Sequence, residues 1–452
     1  MRIFIFLCFL VLTGCSEIFI CCKPQKSPFK SYTRALLFEK EGKLDKALEL
    51  YKEAICGGLK TSYIYSKIGK IYLKKNEFEK AEKYFKKGIR IDSECEECYL
   101  GLGVSYIFQE KYDPAIKYLE KGLKKDPSKN SYRLMLCDLY MFKKDYKNAL
   151  KYYKELVQLY PKNLILRYNY AKILETLKKY SEAEKEYKKI IDCNKNSLQA
   201  YFSLASLYLK ENKIYKAEDI CKKMLDKFPL NPIPYIFLAN LYIEGKNYDE
   251  ALKIINEGIG KGMKNKEFYK SLGIIYCEKK EYDKAEKYFK EAIKKGETSQ
   301  LHFYLGVVYD KMGEKEKMER EMKKAIEIDP ENGFALNYLG YTYLIENRNL
   351  KKAYEMIKKA CEIEPENGAF LDSLGWAYFK MGKYKLARKY LEKAAKLEKD
   401  AEIYEHLGYL YYKLKDYVRA IIWWSKSIEL KKNKKIEKMI EKVKELMKNE
   451  LY

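Results

Sequence analysis

Proline is scarce in this chain, ten residues in 452, and no stretch is rich in glycine and serine. Flexible linkers between separate domains are therefore not expected. Abundant Leu, Lys, Glu, Ala and Tyr, with so little proline, point to a mostly helical protein. Histidine is scarcer still, with two. No HExxH, glycine-rich phosphate loop or G-x-S-x-G occurs. His302 sits where an aromatic is expected to pack, and His406 is followed by no acid–base or metal partner at a recognisable spacing. Arginine is the third absence: nine of the 90 basic residues. A formal charge of +25 raises nucleic acid or an acidic membrane surface as a partner. Arginine, however, is the side chain that grips phosphate bidentately. The lysines are instead spread among glutamates, as in "KKNEFEKAEKYFKKG", the pattern of solvated helix faces. Nucleic acid is not expected as a partner.

What is present is a repeat. Ala47, Ala81, Ala115, Ala149, Ala183, Ala217, Ala251 and Ala285 follow one another every 34 residues, and the series continues with small slips through Met318, Ala353, Ala387 and Ala420. This makes twelve copies over residues 28–434. Twelve positions before these alanines stand small residues such as Gly69, Gly103, Cys137, Ala171 and Gly273. Three residues after the small one there is usually Tyr, as in Tyr72, Tyr106 and Tyr140, and Pro127, Pro161, Pro229, Pro330 and Pro365 close several copies. Each copy reads as two helices and a turn. The small residues let the helices approach, the large ones fill the remaining space, and proline stops the second helix. One pair cannot bury its apolar face alone, so stacked pairs give an all-α superhelical solenoid. Residues 435–452 place Ile436, Met439, Ile440, Val443 and Leu446 on one stripe, a C-terminal capping helix.

The pattern closely resembles the tetratricopeptide repeat family over about nine-tenths of the chain, most fully in "FLDSLGWAYFKMGKYKLARKYLEKAAKLE". Three copies depart from it: Met318 replaces Ala in the ninth, the tenth has an extra turn residue in "IENRNLKKA", and the first lacks the aromatic and Gly of its first helix. The resemblance implies that the first helices line a concave groove for a protein or peptide. Mapped onto this sequence, the groove includes Leu134, Asp138, Met141, Tyr168, Phe202, Tyr341, Trp376, Phe379, Tyr409 and Tyr412. Such an apolar and aromatic lining suits a partner with hydrophobic anchors. Repeats and cap take up everything after residue 28, so an enzyme, a cofactor and a small-molecule substrate are not expected.

The N-terminus carries an address. Met1 and Arg2 precede a ten-residue apolar run, Ile3 to Leu12, too short for the about twenty residues that span a bilayer. Leu12-Thr13-Gly14-Cys15 resembles the bacterial lipobox, which implies a signal peptide over residues 1–14, a lipidated Cys15 and a linker over residues 15–27. The expectation is a scaffold lipid-anchored in the cell envelope, on the outer membrane if the cell has one, in assembly, secretion or pilus machinery. The alternative is a cytoplasmic interaction or chaperone-like protein with an uncleaved N-terminus. Of the other cysteines, Cys137 and Cys221 read as small buried hydrophobes. Cys95 and Cys98 form a C-x-x-C that is a redox pair, a local disulfide or half a metal site. So many unpaired cysteines point to a reducing habitat or count against export.

Overall fold

The computed structural model describes residues 27–449; the stretch expected to be a signal peptide, Cys15 and the expected linker up to residue 26 lie outside them. Twenty-five α-helices and no strand occur among the described residues: twelve helix pairs, from Pro28–Lys40 with Leu44–Cys56 to Ala401–Lys413 with Tyr417–Leu430, then Lys434–Asn449. The chain is an all-α helical-repeat solenoid. It divides into two compact units, one ending at Ile220 and one beginning at Cys221. Within each unit the second helix of a repeat packs on its own first helix and on the first helix of the next repeat.

The close approach falls at the small residues. A Cβ on Gly69 would lie 2.6 Å from the Phe85 ring, one on Gly103 2.5 Å from Leu119, and one on Gly273 2.7 Å from Phe289. In each case the large partner stands sixteen positions later, on the second helix. The alanines of the 34-residue series are fully buried, and Met318, the exception, fits at 1% exposure. The helices pair tightly because one side supplies no side chain and the other fills the gap.

Each intra-repeat turn is closed by one residue in the left-handed region. Five of these turns carry Asn76, Glu110, Lys144, Lys178 and Lys246 at φ of 57–58°, and others use Gly42, Gly313 and Gly382. The tenth repeat absorbs its extra residue with two such positions, Asn347 and Asn349. The helices on either side keep their lengths, Gly333–Ile345 and Leu350–Ile363.

The recurring tyrosine has a role beyond packing. Its hydroxyl donates to a glutamate on the second helix of the preceding repeat: Tyr106 to Glu82 at 3.0 Å, Tyr208 to Glu184 at 2.9 Å, Tyr309 to Glu286 at 2.8 Å and Tyr343 to Glu319 at 2.5 Å. The same glutamates pair with a lysine four residues on: Lys86, Lys188, Lys290 and Lys323. A polar seam thus runs along the apolar joint. At the C-terminal end, Lys434–Asn449 lays Ile436, Ile440 and Val443 onto the core. It starts one residue before the boundary read from the sequence.

Candidate partner-binding face

The first helices of one unit lie side by side, so residues 34 apart become neighbours. The C-terminal unit shows what this juxtaposition builds. Helix Gly368–Lys380 supplies Asp372, Trp376 and Phe379; helix Ala401–Lys413 supplies Glu402, His406, Tyr409 and Tyr412; helix Gly333–Ile345 supplies Tyr341. His406 Nδ1 meets Asp372 Oδ2 at 2.9 Å, both side chains being buried. The Trp376 ring stacks on His406 at 4.0 Å and on Phe379 at 4.5 Å. Tyr341 reaches past the eleventh repeat: its hydroxyl donates to Glu402 and stands 3.4 Å from His406 Nε2. Tyr409 and Tyr412 lean on Trp424, at 5.4 and 5.8 Å.

The electrostatics follow from these contacts. Burial would lower the His406 pKa, but the Asp372 carboxylate raises it above the ordinary 6.5, and Glu402 and Glu405 add to the effect. The imidazolium so favoured is also held by the Trp376 face. Burial raises the Tyr341 hydroxyl far above its usual range, with Glu402 adding to it. Burial raises the Tyr409 hydroxyl as well, with Glu405 adding to it and Lys435 opposing it. Asn337 Oδ1, on the tenth first helix, is buried without a hydrogen-bond partner among the described residues.

The structure therefore brings Tyr341, Trp376, Phe379, Tyr409 and Tyr412 together, half-buried in one another rather than as separate open anchors. It also gives His406 the partner that the sequence spacing did not reveal. Asp372 lies 34 residues upstream, a full repeat away, and only the repeat period could have pointed to it. His302 is packed as expected, its two nitrogens bonded to Glu321 at 2.5 Å and Glu297 at 2.9 Å.

The N-terminal unit presents a different face. Leu134 is 44% exposed, Met141 36% and Phe202 39%; Ile165, which the sequence did not single out, is 74% exposed. Tyr168 is half-buried, bonded to the Ser203 hydroxyl at 3.0 Å and tilted against Tyr187. Cys95 and Cys98 form a disulfide at the start of helix Glu96–Phe108. Both are buried, with the Cys98 sulfur against Gly88, so the pair sits inside the joint between the second and third repeats. Cys137 and Cys221 are buried in the core. Among the described residues no group of His, Cys, Asp and Glu could hold a metal ion, and no helix is long and apolar enough to cross a membrane.

Comparison with known proteins agrees with the repeat. Tetratricopeptide repeat families match residues 62–95 and 299–332, 208–272, 269–301, 321–355 and 373–432. The family of anaphase-promoting complex, cyclosome, subunit 3 matches residues 108–190. No curated protein sequence matches the chain. Similar solved structures include Naa15/Naa10 bound to HypK-THB (17% identity, 89% of this chain and 68% of that one, TM-score 0.49). Another is the APC/C hetero-tetramer Cut9-Hcn1 (12%, 95% and 98%, TM-score 0.49), and a third is yeast Tom70 (17%, 93% and 96%, TM-score 0.42). The repeat matches together span more than half of the chain, on helix pairs that recur every 34 residues, and the chain belongs to the tetratricopeptide-repeat family.

Proposed function

We propose that this chain is a non-enzymatic scaffold that takes a partner protein or peptide on the first-helix face of its repeats, with its N-terminus anchored to a membrane of the cell envelope through Cys15. The observation that carries the binding reading is the set of exposed apolar side chains on first helices of the N-terminal unit, Leu134 and Met141 on one and Phe202 two repeats on, where the third repeat places the half-buried Leu100 and Ile107. Apolar side chains left exposed together mark interaction surfaces. The short run Ile3 to Leu12 followed by Leu12-Thr13-Gly14-Cys15 supports the anchor, because acyl chains add about 0.8 kcal/mol per buried methylene.

A photo-crosslinking residue at position 134, introduced in cells of the source organism, tests the binding. The expected result is one discrete adduct that disappears when Met141→Ser and Phe202→Ser are added. A ladder identical to that from position 215, on the exposed surface of a second helix, would remove the reading. Intact mass of the membrane-fraction protein tests the anchor. A chain beginning at Cys15 with acyl mass is expected; one beginning at Met1 without it transfers the scaffold to the cytoplasm.

A further inference from the structure

On the first-helix face of the N-terminal unit, carboxylates are neutralised from within. Glu39 accepts from the Tyr51 hydroxyl at 2.6 Å and pairs with Lys67 at 3.4 Å. Glu97 pairs with Lys70 at 2.8 Å and accepts from Ser66 at 2.9 Å. Glu175 takes Lys210 at 2.7 Å, Lys172 at 3.1 Å and the Tyr187 hydroxyl at 2.7 Å. Asp138, on the fourth first helix Asn130–Phe142, differs. It is exposed and forms no ion pair or hydrogen bond with any described residue.

Its surroundings are apolar. Leu134 and Met141 flank it on the same helix, four residues before and three after, so the three share one stripe. Leu100, Val104 and Ile107 hold the corresponding places on the preceding first helix, half-buried. On the following one Lys172 is turned to Glu175 rather than to Asp138. The other titratable groups that feel Asp138 are Cys137 and Tyr153, both buried and neutral, their pKa raised first by desolvation. Desolvation alone raises the Asp138 carboxyl above its ordinary range. A fully hydrated surface aspartate would show no such effect.

We propose that Asp138, framed by Leu134 and Met141, receives a partner segment that presents one lysine or arginine between apolar side chains. The cation meets Asp138 while the apolar groups cover Leu134, Met141 and Ile107. A negative charge set in an apolar surface discriminates by charge: it rejects acidic and phosphorylated segments and favours basic ones. This inference rests on the partner-binding reading above and supplies its chemistry.

The test is selection of displayed random twelve-residue peptides on the purified full chain, followed by binding of the enriched peptides by fluorescence anisotropy. The expected peptides carry Lys or Arg flanked by apolar residues. Asp138→Asn should weaken them about 5–20-fold, the range set by loss of one partly desolvated charge pair. Asp138→Lys should turn the selection toward peptides with Asp or Glu at the same place. Both variants should keep wild-type helicity by circular dichroism, because Asp138 bonds to no described residue. Enriched peptides without a basic residue, or basic ones whose affinity Asp138→Asn leaves unchanged, would overturn this inference while leaving partner binding intact. Concentration-dependent dimerisation abolished by Asp138→Lys would also overturn it, since the occupant would then be a second copy. No enriched peptide at all would overturn the partner-binding reading itself.

Discussion

Single residues in this chain act according to what the neighbouring helix leaves them. Gly408 has the Trp424 ring so close that a Cβ would sit 2.2 Å from its Cδ1 and Nε1, while Gly260 at a helix end has nothing within 4 Å. Gly408→Ala gains about 1 kcal/mol of helix propensity but meets an overpacking cost of about 1–3 kcal/mol, so it is expected to destabilise the C-terminal unit by up to about 2 kcal/mol. Gly260→Ala keeps the propensity gain without the clash and is expected to be neutral to slightly stabilising. The urea midpoint should fall for Gly408→Ala and hold or rise for Gly260→Ala, and equal falls in both would contradict the close-approach reading.

The two histidines make a second residue-scale prediction. The Glu321 hydrogen bond raises His302 in spite of burial, and Asp372 raises His406 against a larger desolvation. A raised folded-state pKa adds stability that is fully present below the unfolded value of about 6.5 and is lost as pH rises through the folded value. Stability is therefore expected to fall as pH rises above about 6.5. His302→Gln and His406→Gln should each flatten that slope, and a slope untouched by both would contradict it.

At the scale of helices, the joint between repeats is the unit of stability. Glu319 is an example. Burial would raise its carboxyl, but Lys323, Tyr343 and Arg348 bring it down to about 2. A lowered carboxylate adds stability that is present above the unfolded value of about 4.3 and disappears as pH falls toward the folded one. Tyr343→Phe removes the bond from the next repeat and is expected to cost about 1 kcal/mol at pH 7. The difference from wild type should shrink between pH 4 and pH 2, as guanidinium denaturation across that range would reveal. The sequence displayed the tyrosines but not this seam. A tyrosine three residues after a glycine reads as packing, and the glutamate it binds stands on the second helix of the preceding repeat.

At the scale of the whole chain, the repeats form a ladder whose stability is a sum of repeat and nearest-neighbour contributions. Removing residues from Lys434 onward uncovers the core that Ile436, Ile440 and Val443 shield. The loss is expected to stay local. Amide hydrogen exchange should speed up in Ala401–Lys413 and Tyr417–Leu430, while Ser62–Lys74 keeps its protection. Uniform loss of protection would mean that the chain unfolds as one cooperative block.

The helix pairs, their number and their period were legible in the amino-acid sequence, because close packing of two helices needs a small residue opposite a large one and that need recurs every 34 residues. The turn of each pair was legible only as a position, including the extra residue of the tenth repeat; the left-handed residue that closes it came from the backbone. The candidate face was legible only as a set of positions. Tertiary structure decided which of those side chains are spent on one another, as Tyr341, Trp376 and His406 are, and which remain exposed, as Leu134 and Met141 do. It also decided that Asp372 serves His406 and that Asp138 pairs with no described residue. Those outcomes depend on side chains brought together across repeats. Distance in space, not spacing along the chain, sets whether a charge finds a partner.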